Sequence, residues 1–344
     1  MLVNQNSACT IIAEIGLNHN GDYQLAKESI IAAAKSGATA VKFQNFVTED
    51  FLSDRSILHT YKDKDKEITE PLFDICKRSE FKKEWLPGLI ELCDSLGIIF
   101  FSTPTSKSGV DDLIDCGVKY IKNGSDYLSH IPLLKYMAST GATIIISTGM
   151  AYQEDIDDAV NAILEVQPDK SKLMILHCTS SYPTPVEDVN LNKIQTLRDR
   201  YQVSIGFSDH TEGWISAVQA VTLGVKVIEK HFTLDKKLPG PDHWFSSDPE
   251  EFTELVVQVR LAEKRMGSKA LRPSNSEMEV LTQWKLGLVW DKDMEVGDTI
   301  LEKSIAIRKP ATGLPPKDLV SVIGHKVIRN CKKGEPITNL DYIN

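Results

Sequence analysis

Hydrophobic positions along the chain cluster into short, nearly continuous runs rather than strict alternations. The runs are TIIAEI (10–15), ATAVKFQ (38–44), GIIFFST (97–103), VKYIKN (118–123), ATIIIST (142–148), KLMILHCT (172–179), QVSIGFSD (202–209) and VKVIEKHF (225–232). Continuous apolar runs of this length are the pattern of parallel strands buried on both faces. Between them lie stretches of helical periodicity, such as YQLAKESIIAAAKSG (23–37), EDIDDAVNAILEV (154–166) and PEEFTELVVQVRLAEKRMG (249–267). Gly37, Gly97, Gly117, Gly141 and Gly224 stand where helices should stop before the next strand, as left-handed caps would. Eight strands alternating with helices predict a (β/α)8 TIM barrel. The competing doubly wound open sheet usually has fewer strands and a Gly-rich fingerprint after the first, which GLNHNG (16–21) does not match.

Two regions break the repeat. Residues 47–80 are polar and charged, and are expected to form a long insertion after the second strand, either a lid or a plain solvated excursion. Beyond Gly267 the pattern changes. Residues 1–268 are assigned to the barrel, 269–286 to a linker, and 287–344 to a compact C-terminal domain with short strand-like pieces and the turns VGD and KKGE. A module of that size is near the lower limit for a stable core of its own.

Composition narrows the class. The 344 residues carry 42% hydrophobic and 25% charged residues, ordinary values for a globular protein. The net charge of −9 and the lack of any Lys/Arg block argue against a nucleic-acid surface. No apolar run approaches the roughly 20 residues of a membrane span. Met1–Asn6 lacks a basic start and an apolar stretch, so no secretory leader is expected. The six cysteines have no metal-ligand spacing and read as reduced packing residues of a cytoplasmic protein.

Barrel active sites form at the C-terminal ends of the strands. Every strand here ends in polar or ionisable residues: Glu14; Lys42 and Gln44; Ser102 and Thr103; Lys122; Ser147 and Thr148; His177 and Thr179; Ser208 to His210; Glu229 to His231. Lys42 and Lys122 in an acidic protein suggest a site for phosphate or carboxylate, with Ser102, Thr103, Ser125, Ser147 and Ser180 as hydroxyl donors. A strand-end lysine could instead form a Schiff base, and Lys122 and Lys230 are the choices. His210 and His231 end neighbouring strands, with Glu14 next door once the barrel closes. That set suits a divalent metal or acid–base chemistry. Strand alternation lets at most one of Glu229 and Lys230 face the interior. The proline-stiffened loop 238–246 offers Asp242 and His243, and the loop 177–185 offers Ser180 and Tyr182.

Taken in order, AEIGLNHNG (13–21), VKFQ (41–44), FFSTP (100–104), IKNGS (121–125), STGM (147–150), HCTSSYPTP (177–185), IGFSDHT (205–211), EKHFT (229–233) and PGPDHWFS (239–246) resemble the sialic acid synthase family, whose members make nine-carbon nonulosonic acids. Residues 287–344 resemble the antifreeze-like (SAF) domain that ends these enzymes. The resemblance implies condensation of phosphoenolpyruvate with an N-acetylmannosamine-type sugar and release of phosphate. It implies Mn²⁺ or Mg²⁺ on His210 and His231. It implies phosphoenolpyruvate on Lys42, Lys122, Thr103, Ser125, Ser147, Ser180 and Ser208, sugar contacts from Gln44, Tyr182 and Asp242, and Glu14 as the acid–base group. It also implies a domain-swapped homodimer in which an arginine of the C-terminal domain reaches the partner's sugar. AIRKPATG (306–313) is the matching stretch, with Arg and Lys in swapped order, so Arg308 and Lys309 are both candidates. Tyr127 stands where relatives carry an acidic residue, and Thr105 where they carry an aromatic one. Both departures fall on the sugar side, where Tyr127 or Trp244 could give a deoxy sugar an apolar contact. Such a sugar, a 2,4-diacetamido-2,4,6-trideoxyhexose, is the alternative acceptor and would yield legionaminic- or pseudaminic-type acids. So many cations at one mouth also predict a site too positive to stay compact without bound water or anions.

Overall fold

The computed structural model describes residues 8–63 and 66–343. The expectation about a leader at Met1–Asn6 lies outside the described residues. Eight parallel strands close into a barrel: β1 (Thr10–Gly16), β2 (Ala40–Asn45), β3 (Ile99–Pro104), β4 (Tyr120–Asn123), β5 (Thr143–Ser147), β6 (Leu173–Cys178), β7 (Ser204–Asp209) and β8 (Val227–His231). Each pairs with its neighbours in sequence, and β1 closes on β8, with Thr10 opposite Val227 and Glu14 opposite His231. The continuous apolar runs have their physical reason here, because every residue of β1, β4, β6 and β8 is buried.

The helices between the strands are α1 (Tyr23–Lys35), α2 (Leu86–Leu96), α3 (Lys107–Asp115), α4 (Ile131–Ser139), α5 (Gln153–Val166), α6 (Lys193–Tyr201), α7 (Ile215–Thr222) and α8 (Pro249–Met266). Local chemistry starts and stops them. The Asp22 carboxylate caps α1 by accepting from the Gln24 and Leu25 amides. Asp248 and Glu251 form a reciprocal capping box at α8, with Pro249 in its first position. Gly37, Gly97, Gly117, Gly141 and Gly224 adopt φ of 89°, 70°, 79°, 76° and 91°, the left-handed geometry that their positions predicted. Against the outer face of the barrel, Ile30, Leu89, Leu113, Leu134, Ile163, Ile194, Ala220 and Leu255 complete one continuous core. Fully burying each of the larger side chains contributes about 1.5–3 kcal/mol.

The insertion after β2 holds more structure than its polar sequence suggested. A short helical turn, Thr48–Phe51, leads to an antiparallel hairpin of Leu58–Asp63 with Lys66–Pro71, and then to a helix, Leu72–Arg78. The Tyr61 hydroxyl donates to Glu70 at 2.7 Å, and Arg78 pairs with the same carboxylate.

The chain divides into two compact units, Met1–Gly267 and Ser268–Asn344. In the second, strands Gly287–Trp290 and Ile305–Arg308 pair antiparallel over a small core of Leu288, Trp290, Met294, Ile300, Val322, Val327, Cys331 and Ile337. Residues 269–286 are not a plain tether. They carry helical turns at Asn275–Met278 and Leu281–Trp284, and the Ala311 amide donates to the Thr282 carbonyl. All six cysteines are free thiols, and among the described residues no helix is long and apolar enough to cross a membrane.

Candidate active site

A cavity of about 620 Å³ opens at the C-terminal ends of the barrel strands. Glu14, Lys42, Gln44, Thr103, Lys122, Ser125, Ser147, Ser180, Tyr182, Ser208, His210, His231 and Asp242 all line it. These thirteen are therefore brought to one place, whereas Ser102, named with them as a hydroxyl donor, is fully buried in the strand and does not line the cavity. Arg308 and Lys309 belong to the second unit. There Arg308 pairs with Asp291, and the Lys309 ammonium lies 4.6 Å from the Trp284 ring centre.

The floor is a buried charge network. Lys42 Nζ lies 2.8 Å from Glu14 Oε2 and donates to Thr103 Oγ1 at 3.0 Å. The other Glu14 oxygen accepts from Gln44 Nε2 at 2.8 Å. Lys122 Nζ donates to Ser147 Oγ at 2.6 Å and to the Asn123 carbonyl at 3.1 Å. Ser208 Oγ donates to Glu229 Oε1 at 2.9 Å. Glu229 was left undecided against Lys230 by sequence reasoning, and the structure settles it: Glu229 lines the cavity and Lys230 does not. Two buried carboxylates thus sit among the two lysines. The expected excess of positive charge is not there, because Glu14 and Glu229 offset it.

Their environments push the ionisable groups apart. Burial raises Glu14, although Lys42 opposes it. Burial would raise Glu229 too, but Lys42 and Lys122 outweigh it and hold that carboxyl below its ordinary range. Burial lowers Lys122, against the pull of Glu229. Two carboxylates tuned in opposite directions are a common mark of divided acid and base roles.

At the mouth, Tyr182, His210, His231, Phe245 and Trp244 form an aromatic cluster. The two imidazole centroids are 5.3 Å apart, and Tyr182 lies 4.2 Å from that of His210. His210 Nδ1 contacts the Thr179 carbonyl at 2.8 Å, which makes that nitrogen an N–H donor; burial would lower this ring's pKa, but Cys178 and the Thr179 carbonyl outweigh it and raise it. Buried His231 has Nδ1 without a hydrogen-bond partner, and burial followed by the charge of His210 holds the ring well below its ordinary pKa, as a neutral imidazole. Asp242 Oδ2 is 3.8 Å from that nitrogen, and burial, reinforced by Glu14, pushes Asp242 up to about 7.

Among the described residues no group of three or more His, Cys, Asp and Glu side chains is arranged to hold a metal ion. His231 with its open Nδ1, and His210 through Nε2 once that ring gives up its proton, nevertheless fit a divalent ion that takes its remaining ligands from water and substrate.

Several lining residues carried no clear sequence signal. His59, Thr60 and Tyr61 arrive from the hairpin, and Cys178, Asp126 and Met150 from loops and strand ends. Tyr127, Trp244 and Thr105 line the cavity too. Other strand-end residues turn away. His177 Nε2 contacts the Val189 carbonyl at 2.7 Å and faces a separate cavity of about 170 Å³. His243, expected to be presented by its loop, is buried against Thr233 Oγ1 at 2.6 Å.

Residues 29–270 match the NeuB family, and residues 287–342 match the SAF domain. The chain belongs to the NeuB family. It is 38% identical to the N,N'-diacetyllegionaminic acid synthase of Legionella pneumophila, over 95% of this chain and 92% of that protein. It is 33% identical to a pseudaminic acid synthase of Campylobacter jejuni, over 98% of both chains. Among solved structures, the N-acetylneuraminic acid synthetase of Leptospira borgpetersenii is 36% identical, with a TM-score of 0.71 over 80% of this chain and 90% of that one. This NeuB-family chain is accordingly a member of the nonulosonic acid synthases, with the barrel and SAF domain that the sequence predicted.

Proposed function

We propose that the protein condenses phosphoenolpyruvate with an N-acetylmannosamine-type sugar to give a nine-carbon 2-keto acid and phosphate. The observation that carries this reading is the one cavity in which Lys42, Lys122, Thr103, Ser125, Ser147, Ser180, Ser208, His210 and His231 converge from the barrel strands and their loops.

Lys42 and Lys122, with Thr103, Ser125, Ser147, Ser180 and Ser208, hold the phosphate and carboxylate of phosphoenolpyruvate and fix its enol carbon toward the acceptor. Gln44, Tyr182 and Asp242 contact the sugar. The enol C3 attacks the aldehyde carbon to form the new C–C bond. Water adds at the cationic C2, and phosphate leaves with C–O cleavage to give the ketone. Glu14, kept within reach by Gln44 and raised by burial, relays the protons at the reacting carbons. A Mn²⁺ or Mg²⁺ ion on His210 and His231 would supply Lewis-acid polarisation of the aldehyde oxygen.

A second acceptor, a 2,4-diacetamido-2,4,6-trideoxymannose, is favoured by the wall of Tyr61, Tyr127, Met150, Trp244 and Phe245, which offers aromatic and apolar surface where a sugar with fewer hydroxyls would sit. A Schiff-base reading has lost one of its lysines, since Lys230 is ion-paired and turned from the cavity.

The test is phosphate release from phosphoenolpyruvate with each acceptor in turn, with and without chelator. Release that a chelator abolishes and Mn²⁺ restores is expected, and the better acceptor names the product class. A folded, metal-loaded protein inactive with both sugars would refute the assignment, and borohydride trapping of a pyruvate adduct would replace it with an aldolase. The proposal extends to a cytoplasmic homodimer, checked by light scattering at assay concentration.

A further inference from the structure

Strands β7 and β8 run in parallel register, with Ser208 opposite Glu229 and Asp209 opposite Lys230. Side chains alternate along a strand, so successive rungs face opposite ways. The Ser208–Glu229 rung faces the cavity and is hydrogen-bonded. Asp209 and Lys230, on the next rung, do not line the cavity, and they are only 1% and 3% exposed. Beyond them, His210 and His231 face inward again.

The outward rung is closed into a ring. Lys230 Nζ lies 2.9 Å from Asp209 Oδ2 and also donates to the Thr211 carbonyl. Asp209 Oδ1 accepts from the Thr211 amide at 2.9 Å and from the Thr211 hydroxyl at 2.7 Å. The residues on either side of His210 are therefore both tied to the residue that precedes His231. Stability alone does not account for such a pair, since buried ion pairs can often be replaced by apolar residues at little or no loss.

We propose that Asp209 and Lys230, closed through Thr211, are positioning residues that fix the separation and orientation of the His210 and His231 imidazoles. The inference rests on the reading of those imidazoles as a metal-binding pair, and it gives the lysine of EKHF a role outside the chemistry.

The experiment compares wild-type protein with the double variant Asp209→Asn/Lys230→Met, which removes both charges and keeps the side-chain volumes similar, and with the milder Thr211→Val. Nitrogen-15 NMR of labelled histidine reads the rings of the metal-free protein, with assignments from His210→Gln and His231→Gln. Electron paramagnetic resonance reads Mn²⁺ binding, and thermal melts report folding. In the folded double variant the ring signals of His210 and His231 should shift while those of His59 and His325 hold. Mn²⁺ should bind at least about tenfold more weakly. The KM for phosphoenolpyruvate should stay within about twofold, and Thr211→Val should show the same pattern to a smaller degree. Unchanged ring signals and Mn²⁺ affinity in a folded double variant would overturn the proposal. If the double variant does not fold, the same readings on Thr211→Val decide it. Wild-type protein that binds no Mn²⁺ would refute the metal reading instead, and the ring signals would still judge the pair.

Discussion

Replacing Gly149 with alanine should weaken phosphoenolpyruvate binding without unfolding the barrel. A Cβ at this position would stand 2.2 Å from Ser180 Oγ and 2.8 Å from Ser125 Oγ, closer than real Cβ atoms come. Ser125 Oγ also accepts from the Gly149 amide at 3.0 Å, so the backbone cannot simply retreat. Both obstacles are ends of rotatable side chains, so the serines turn away and the fold loses about 1–3 kcal/mol at most. Each displaced hydroxyl forfeits a hydrogen bond to an anion worth about 1.5–3 kcal/mol. Together that is about 3–6 kcal/mol, and at about 1.4 kcal/mol per tenfold the KM for phosphoenolpyruvate should rise by at least about 100-fold. Steady-state phosphate release against phosphoenolpyruvate concentration measures it, with the acceptor KM and a thermal melt as controls. A folded Gly149→Ala protein whose KM for phosphoenolpyruvate is within about twofold of wild type would show that neither serine holds the anion.

Three further perturbations separate the parts of the site. Burial holds Lys122 below an ordinary lysine, and Glu229 counteracts this, so phosphoenolpyruvate affinity should fall as pH rises through the lowered value. Glu229→Gln removes the counteracting charge and should move that alkaline limb to lower pH; a limb that stays put would discount the coupling. The Lys62 ammonium lies 4.9 Å from the Trp244 ring centre, a contact of about 0.5–1 kcal/mol between the hairpin and the cavity wall. Lys62→Ala should therefore raise the acceptor KM about two- to fivefold and leave that for phosphoenolpyruvate alone, as initial-rate kinetics with each substrate varied would show. Gly97 has φ of 70° and nothing within 4 Å of where its Cβ would lie, so Gly97→Ala carries only backbone strain of about 1 kcal/mol. Calorimetry should find a melting point about 2–4 °C lower, with unchanged kinetics.

What the sequence made legible followed from two regularities. Parallel strands buried on both faces write themselves as continuous apolar runs, which located all eight strands. The position of a barrel's active end then turned a scatter of polar residues into a set that the structure gathers around one cavity. The hairpin stayed hidden because its strands are largely solvent-exposed and densely charged, so no apolar face marks HTYKD or KEITE as strand. Glu229 stayed ambiguous because a run buried on both faces does not say which of two adjacent ionisable residues points inward. His243 and Asp242 are neighbours in one proline-stiffened loop, and contacts to Thr233 and Asn20, distant in sequence, turn the histidine away from the mouth.

The same alternation that obscured Glu229 explains how one pair of strand ends carries two kinds of polar chemistry. In SDH and EKH the first and third residues face the cavity and the second faces away. Polar residues on the inner rungs have open space before them and can engage substrate. Those on the middle rung have none, and an unpaired charge there would cost several kcal/mol, so Asp209 and Lys230 must satisfy each other. Their ring through Thr211 then ties together the backbone that carries both imidazoles. A lysine read from sequence as a possible nucleophile is thus excluded by its parity on the strand, and the same parity assigns it a place in holding the site together.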